Sequence, residues 1–193
     1  MLFRSLVLVT GAEPAEELLK GLEAGSRRMS PKTLLIGGTY PPTADRHADA
    51  RAGQGAGGGS LGLAVVDFDF FKRVTDTYGV ASGDAVLQEA ANRIGRCVRA
   101  YDRVGRMGNQ EFVLLLPGCT PHGAQHVAER VRTVLSNSVF LVQDQRIPLT
   151  ASISVCCSKE PNKVDLLLVR AERALFSAKR SGSNRVVMAE APA

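Results

Sequence analysis

The chain has 193 residues, 45% of them hydrophobic and 22% charged, and its 24 basic residues against 19 acidic ones give a formal charge of +5. That length and balance fit one globular domain with a sizeable core; they exclude a disordered chain and leave too little for two ordinary domains. The modest basic surplus suits an anionic ligand of nucleotide size rather than DNA, and the absence of tryptophan argues against a stacking platform for single strands, so no nucleic-acid partner is expected.

The opening LFRSLVLV is too short to span a bilayer and no small-residue cleavage site follows it, which leads to the expectation of a cytoplasmic protein without membrane insertion. Residues 14–24 read as a helix, with Leu18, Leu19 and Leu22 at helical spacing, Pro14 suited to the first turn and Gly25 to the exit. Residues 1–28 are thus an N-terminal strand and helix. Residues 29–60 are an insertion or linker whose stretch TADRHADARAGQGAGGGS (43–60) offers nothing to bury, and residues 61–193 form the main domain.

LGLAVVDFDFF begins as a buried strand and ends in two acids, Asp67 and Asp69. FKRVTDTYG is a short helix closed by Gly79. Gly83-Asp84 then opens a longer helix, with Asp84 as its cap and Val86, Leu87, Ala90, Ala91, Ile94 and Val98 on one face. Two apolar strands follow, joined through Gly108-Asn109, a dipeptide common in two-residue hairpin turns. Residues 124–135 form a further amphipathic helix and RIPLTASISVCCS is β-rich. VDLLLVRAERALFSAKRSG is a helix with a glycine stop, and NRVVM is a last strand. The order β-α-α-β-β-α-β-α-β predicts an α+β fold with a central, mostly antiparallel sheet flanked by helices, palm-like with a ferredoxin-like core.

Cys97, Cys119, Cys156 and Cys157 form no CxxC pair. Neighbours on a strand point to opposite faces, so Cys156 and Cys157 are poorly placed to share a metal; buried or idle thiols are expected. Asp67 and Asp69 at a strand end are placed to hold Mg²⁺ and polyphosphate, or are plain solvated loop acids. His122 and His126 share a helix face, but with no acid or cysteine pattern nearby they read as a surface pair rather than metal ligands. Arg93, Arg96, Arg99, Arg103 and Arg106 make a basic run that suits a solvated face. Yet Arg99-x-x-Asp102 sets a bidentate donor and an acceptor at one helix end. Guanine offers N7 and O6 to an arginine and its N1/N2 hydrogens to a carboxylate, so the pair suits guanine.

VDFDFFKRVTDTYGVASGDAVL resembles the pattern D-x-D-x-F-K-x-x-N-D-x-x-G-H-x-x-G-D-x-x-L of the GGDEF family of diguanylate cyclases. DRVGRMGNQEFVLLLP is similar to that family's D-x-x-x-R-x-G-G-D-E-F strand pair. LTASISV and RAERALFSAKRSGSNRV resemble its closing S-I-G-V and A-D-x-A-L-Y-x-A-K-x-x-G-R-N segments. The four segments stand in order, with ungapped local spacing, across residues 61–188. The resemblance implies a nucleotidyl-cyclase palm that makes cyclic di-GMP from two GTP molecules, one per protomer, with two Mg²⁺.

The resemblance also implies roles, and departures from them. In Gly108-Asn109-Gln110-Glu111-Phe112, Gln110 stands at the carboxylate that binds metal, and Asn109 replaces the second glycine, where backbone must approach phosphate. Thr75 stands at the asparagine that reads guanine, although Asp84 keeps the acidic partner; Ser183 stands at the arginine that grips phosphates, although Lys179 remains. Asp67 and Glu111 are further remnants. Each loss is expected to cost on the order of a few kcal/mol of transition-state stabilisation, so no turnover and no required cofactor are expected, Mg²⁺ entering only if the residual GTP site is used. The family's inhibitory site, R-x-x-D, ends five residues before the signature and binds cyclic di-GMP. Arg99-Ala100-Tyr101-Asp102 has that motif in that place, and Ala128-Glu129-Arg130 matches the segment that gives the site its second arginine. The resulting expectation is a catalytically inactive cyclic di-GMP effector using Arg99, Asp102 and Arg130, with a ligand-bridged homodimer and an unknown protein partner downstream. A weakly active cyclase or GTP-binding domain, and a ligand-independent interaction module, are the alternatives.

Overall fold

The computed structural model describes residues 60–159 and 164–189, with the backbone of residues 35–36. The helix expected at 14–24 and nearly all of the low-complexity run at 43–60 lie outside the described residues. In chain order the elements are β1 (Leu35–Ile36), β2 (Leu61–Phe68), α1 (Phe71–Tyr78), α2 (Val80–Arg96), β3 (Arg103–Arg106), β4 (Glu111–Pro117), α3 (Pro121–Ser136), β5 (Phe140–Val142), β6 (Gln145–Ile147), β7 (Ala151–Ser158), α4 (Val164–Arg180) and β8 (Val186–Met188).

Every residue of β2 is buried, as an uninterrupted apolar run requires when both faces of a strand are covered. Because side chains alternate, Ala64, Val66 and Phe68 join a core with α1, α2 and α3, while Leu61, Leu63 and Val65 meet Leu167, Ala171 and Leu175 of α4. β4 divides in the same way: Phe112, Leu114 and Leu116 face the first core, Val113 and Leu115 the second. The six strands run in the order β1-β3-β4-β2-β7-β8. Every pairing is antiparallel except β7 with β8, which α4 connects as a crossover. This is the α+β architecture that the pattern of elements predicts, with β5 and β6 forming a separate hairpin. Each fully buried Leu, Ile, Val or Phe stabilises the fold by roughly 1.5–3 kcal/mol, so the two-sided packing of β2 holds the layers together.

Three local expectations need correction. The long helix does not open at Gly83-Asp84 but at Val80, with Gly79 at its N-cap, so Asp84 is not a cap and stands exposed in the helix. Gly83 is buried because the helix crosses α1 there: a Cβ on Gly83 would lie 2.8 Å from Cγ2 of Thr75. The Gly108-Asn109 corner is not a two-residue turn. The Met107 N–H donates to the Glu111 carbonyl at 2.9 Å, residues 108–110 form the loop, and neither Gly108 nor Asn109 has positive φ. The two-residue hairpin with positive φ is instead Gln143-Asp144 (48° and 65°), between β5 and β6, a strand pair whose β5 gave no clear sequence signal. The arginine run is a solvated face only in part: Arg96 is exposed, but others are engaged. Arg93 lies over the Phe140 ring, 4.0 Å from its centroid, Arg103 donates to the carbonyls of Ala100 and Asp102, and Arg106 binds the 108–110 loop.

Gly79 sits at φ 85°, ψ 161°, ending α1 and starting α2, in a region open essentially to glycine alone. Beyond its own residue and its two chain neighbours, no atom lies within 4 Å of where its Cβ would be, so the cost of a side chain there comes from the backbone. Gly79→Ala is expected to lower unfolding stability by about 1–3 kcal/mol, read as a lower urea midpoint at unchanged slope.

Candidate functional site

The alternation of β2 carries past its apolar part. Asp67 has the parity of Leu63 and Val65, so its carboxylate emerges on the α4 side, where the second core ends. Leu167, Ala171 and Leu175 recur every four residues along α4, and Lys179 extends the same row. Its ammonium donates to Oδ2 of Asp67, a short charge-assisted contact. Gln110, from the loop before β4, donates through Nε2 to Oδ1 of Asp67 at 2.9 Å. Glu111 pairs directly with Asp67 across β2 and β4. Burial raises the pKa of Glu111, the neighbouring charges of Asp67 and Glu172 raise it further, and Lys179 opposes them. Arg106 fixes the loop from behind, donating through Nε to the Gly108 carbonyl (3.1 Å) and through Nη2 to the Asn109 carbonyl (2.6 Å).

This donor set does not fit a divalent cation. Both oxygens of Asp67 accept hydrogen bonds, one from an amide and one from an ammonium, and the Gln110 group aimed at Asp67 is itself a donor. Turning that amide over would offer an oxygen without formal charge, a weak substitute for the carboxylate that Mg²⁺ prefers. Among the described residues, no group of three or more His, Cys, Asp or Glu side chains is arranged to hold a metal.

The reading of Asp67 and Asp69 as solvated acids is overturned, since both are buried. Asp69 accepts from Thr150 Oγ1 and Ser152 Oγ, each at 2.7 Å, and from the Asn184 N–H at 3.0 Å. It ties the end of β2 to β7 and to the turn before β8, where Gly182, Ser183 and Asn184 all have positive φ. Ser183 lies in that turn. Thr75 turns its hydroxyl to the Lys72 carbonyl within α1, and the Asp84 carboxylate is exposed. His122 and His126 are exposed, with their Nε2 atoms 2.9 Å apart. Cys156 is buried in the α4-side core and Cys157 packs against the other, on opposite faces as expected. Burial and its cysteine neighbours push the Cys157 thiol up to about 11.

A second cluster lies at the other end of β3. The Asp102 N–H donates to the Arg99 carbonyl at 3.1 Å and the Arg99 N–H donates to Asp102 Oδ2 at 2.7 Å, closing the Arg99–Asp102 turn from both sides. Arg130, on α3, donates through Nε and Nη2 to the Cys97 carbonyl (3.1 and 2.7 Å), placing its charge at the C-terminus of α2. The Arg99 guanidinium donates to the Tyr101 hydroxyl at 2.7 Å. Asp102 is buried, and burial pushes its pKa up to about 6 against the backbone hydrogen bond from Arg99 and the charges of Arg99, Arg130 and Arg103. The three residues Arg99, Asp102 and Arg130 are therefore neighbours, the first two from the turn between α2 and β3 and the third from α3.

Residues 46–185 match the family model described as diguanylate cyclase, GGDEF domain. The chain belongs to the GGDEF family. It is 40% identical over 134 residues to the response regulator PleD of Caulobacter vibrioides, covering 68% of this chain and 30% of that protein. To diguanylate cyclase A of Treponema denticola it is 35% identical over 132 residues, covering 68% of this chain and 36% of the relative. The match thus spans about a third of each of these relatives' length, 30% and 36%. The crystal structure of the GGDEF domain of DgcB from Caulobacter crescentus in complex with c-di-GMP superposes with a TM-score of 0.65 at 30% identity, covering 75% of this chain and 85% of that one. The diguanylate cyclase SiaD of Pseudomonas aeruginosa, solved with its activator SiaC, gives 0.67 at 32% identity, covering 92% of this chain and 68% of that one.

In this GGDEF domain the signature segment spans the 108–110 loop and the start of β4, and its hairpin partner β3 follows directly on the Arg99–Asp102 turn. Family resemblance put Asp67, Thr75, Asp84, Gln110, Glu111, Lys179 and Ser183 in one site. The structure gathers Gln110, Glu111 and Lys179 around Asp67, while Thr75 bonds within α1, Asp84 is exposed and Ser183 lies in the turn before β8. Sequence reading missed Asp69 as a buried junction and Arg106 as the clamp on the loop. The only signal for Asp69 was polar spacing in LTASIS, and Arg106 was hidden in an arginine run. Among the described residues, no helix is long and apolar enough to cross a membrane.

Two expectations follow. Gln110→Glu restores a charged oxygen beside Asp67, and Mn²⁺ titration is expected to show binding roughly tenfold or more tighter than in the unsubstituted protein. Asp102 holds its proton more tightly when folded than when unfolded, so its contribution to stability is present at low pH and lost as the pH rises through about 6. Unfolding free energies from urea titrations at about pH 7 and about pH 4.5 are expected to show the difference between Asp102→Asn and the parent changing by about 2 kcal/mol across the range.

Proposed function

We propose that this GGDEF domain binds cyclic di-GMP through Arg99, Asp102 and Arg130 and does not turn over GTP, acting as an effector of the second messenger. The observation that carries the reading is the state of Asp67: its charge is already matched by Lys179 and its other oxygen is taken by the Gln110 amide, while an arginine-lined cluster stands beyond the far end of the β3–β4 hairpin. Phosphoryl transfer depends on positioned cations, and a neutral amide at 110 supplies no charge for one. At the other cluster, Arg99 offers a planar fork for guanine N7 and O6, and ionised Asp102 accepts from N1–H and N2–H. Arg130 adds charge suited to phosphate. The c-di-GMP complex of the DgcB domain supports the choice of ligand. A ligand that bridges two protomers shifts the population of a homodimer, and a protein partner reads the shift.

Isothermal titration with cyclic di-GMP is expected to give micromolar binding that Arg99→Ala and Arg130→Ala each weaken at least tenfold. Affinity is also expected to fall as the pH drops below about 6, where Asp102 takes up its proton. Absence of heat, or an unchanged affinity in Arg99→Ala, refutes the receptor. A second reading, residual GTP binding or slow synthesis, is favoured by Asp67 and Glu111 standing opposite each other beside Lys179. Product formed from GTP and Mn²⁺, and abolished by Asp67→Ala, establishes that reading instead. Partner capture unaffected by nucleotide or by either arginine substitution points to an interaction module.

A further inference from the structure

We infer that Tyr101 is part of the ligand site, its ring being the face on which a guanine base stacks; the inference rests on the cyclic di-GMP reading above. The Arg99–Asp102 turn is closed from both sides by Asp102 N–H to Arg99 carbonyl and by Arg99 N–H to Asp102 Oδ2. That closure draws Asp102 inward and turns the two middle residues outward, so Ala100 is exposed and Tyr101 keeps 49% of its surface accessible. The Tyr101 ring stays beside the guanidinium: Arg99 Nη1 donates to its hydroxyl at 2.7 Å, and Arg99 Cζ is 5.7 Å from the ring centroid.

A guanidinium reads guanine edge-on, with the base in the plane of its fork. A base that engages Arg99 along one edge and Asp102 along another spans the stretch of turn between them, and Tyr101 is the aromatic residue of that stretch. Such a base leaves a π-face to be covered. A tyrosine ring does so at low entropic cost, because it has few rotatable bonds and its hydroxyl is already anchored. Arg99, Arg103 and Arg130 supply positive charge to the same turn, and Tyr101 supplies the apolar surface those groups lack. The short hydroxyl contact orients Arg99, but the stacking role belongs to the ring, and the two separate by substitution.

Tyr101→Ala is expected to weaken cyclic di-GMP binding roughly ten- to a hundredfold, the range of one base–aromatic stack, and Tyr101→Phe to stay within about threefold of the parent. Because Tyr101 is exposed, both variants are expected to keep the parent melting temperature, which separates a lost contact from a lost fold. The chain has three tyrosines and no tryptophan, so in a Tyr40→Phe, Tyr78→Phe background Tyr101 is the sole emitter of its kind. Cyclic di-GMP is expected to quench it at the concentration that titration calorimetry gives for binding. Parent-like affinity in Tyr101→Ala, an equal loss in Tyr101→Phe, or unquenched emission at saturation overturns the stacking role and leaves the receptor standing. No binding by the parent protein overturns the receptor, and the stacking role with it.

Discussion

The burial of β2 on both faces constrains nearly everything else in the domain. A strand covered on both sides assigns each residue to one of two cores by parity alone, and Asp67 inherits its direction from Leu63 and Val65. That direction brings it to the row on α4 that ends in Lys179. A carboxylate in such a place must be compensated, since an unpaired buried charge costs far more than a surface one. Gln110 and Lys179 provide the compensation, so the electrostatic balance of the corner is met by side chains of the chain itself.

The same economy runs along the hairpin. β3 and β4 connect two polar clusters, one at the 108–110 loop and one at the Arg99–Asp102 turn, and Arg106 and Arg103 bind the main chain at opposite ends of β3. Several of the arginines follow a common rule: their guanidinium groups cap main-chain carbonyls of loops and helix ends. Arg130 does this for the end of α2, Arg93 for the segment after α3, where it bonds the carbonyls of Ser138 and Val139. The charges of Arg103 and Arg130, with that of Arg99, then remain close to Asp102, the buried acid of that region, and partly offset its cost of burial.

Much of this was legible in the chain. The uninterrupted apolar run at residues 61–66 announced a buried strand, and VDLLLVRAERALFSAKRSG read as a helix; that its Leu167, Ala171 and Leu175 cover one face of the strand came from the folded structure. The D-x-D, G-N-Q-E-F and R-x-x-D strings placed the candidate residues by family resemblance. Boundaries read less well. Asp84 is a good capping residue by type, yet Gly79 starts the helix because only glycine accepts the backbone that joins α1 to α2. Gly108-Asn109 has the composition of a two-residue turn, but Met107 pairs with Glu111 and lengthens the loop, and Arg106 holds it there.

The sequence by itself determined the α+β class, the buried strand, the family, and which residue types stand at the signature, because these depend on local periodicity and on residue identity. Only the tertiary structure decided that Asp67 and Asp69 are buried, that Gln110 reaches across 43 positions of chain to donate to Asp67, and that Arg130 docks on the carbonyl of Cys97. Those facts depend on which carbonyls, carboxylates and cations the folded layers bring within hydrogen-bonding distance. Spacing along a chain does not encode a distance between elements that meet only after packing.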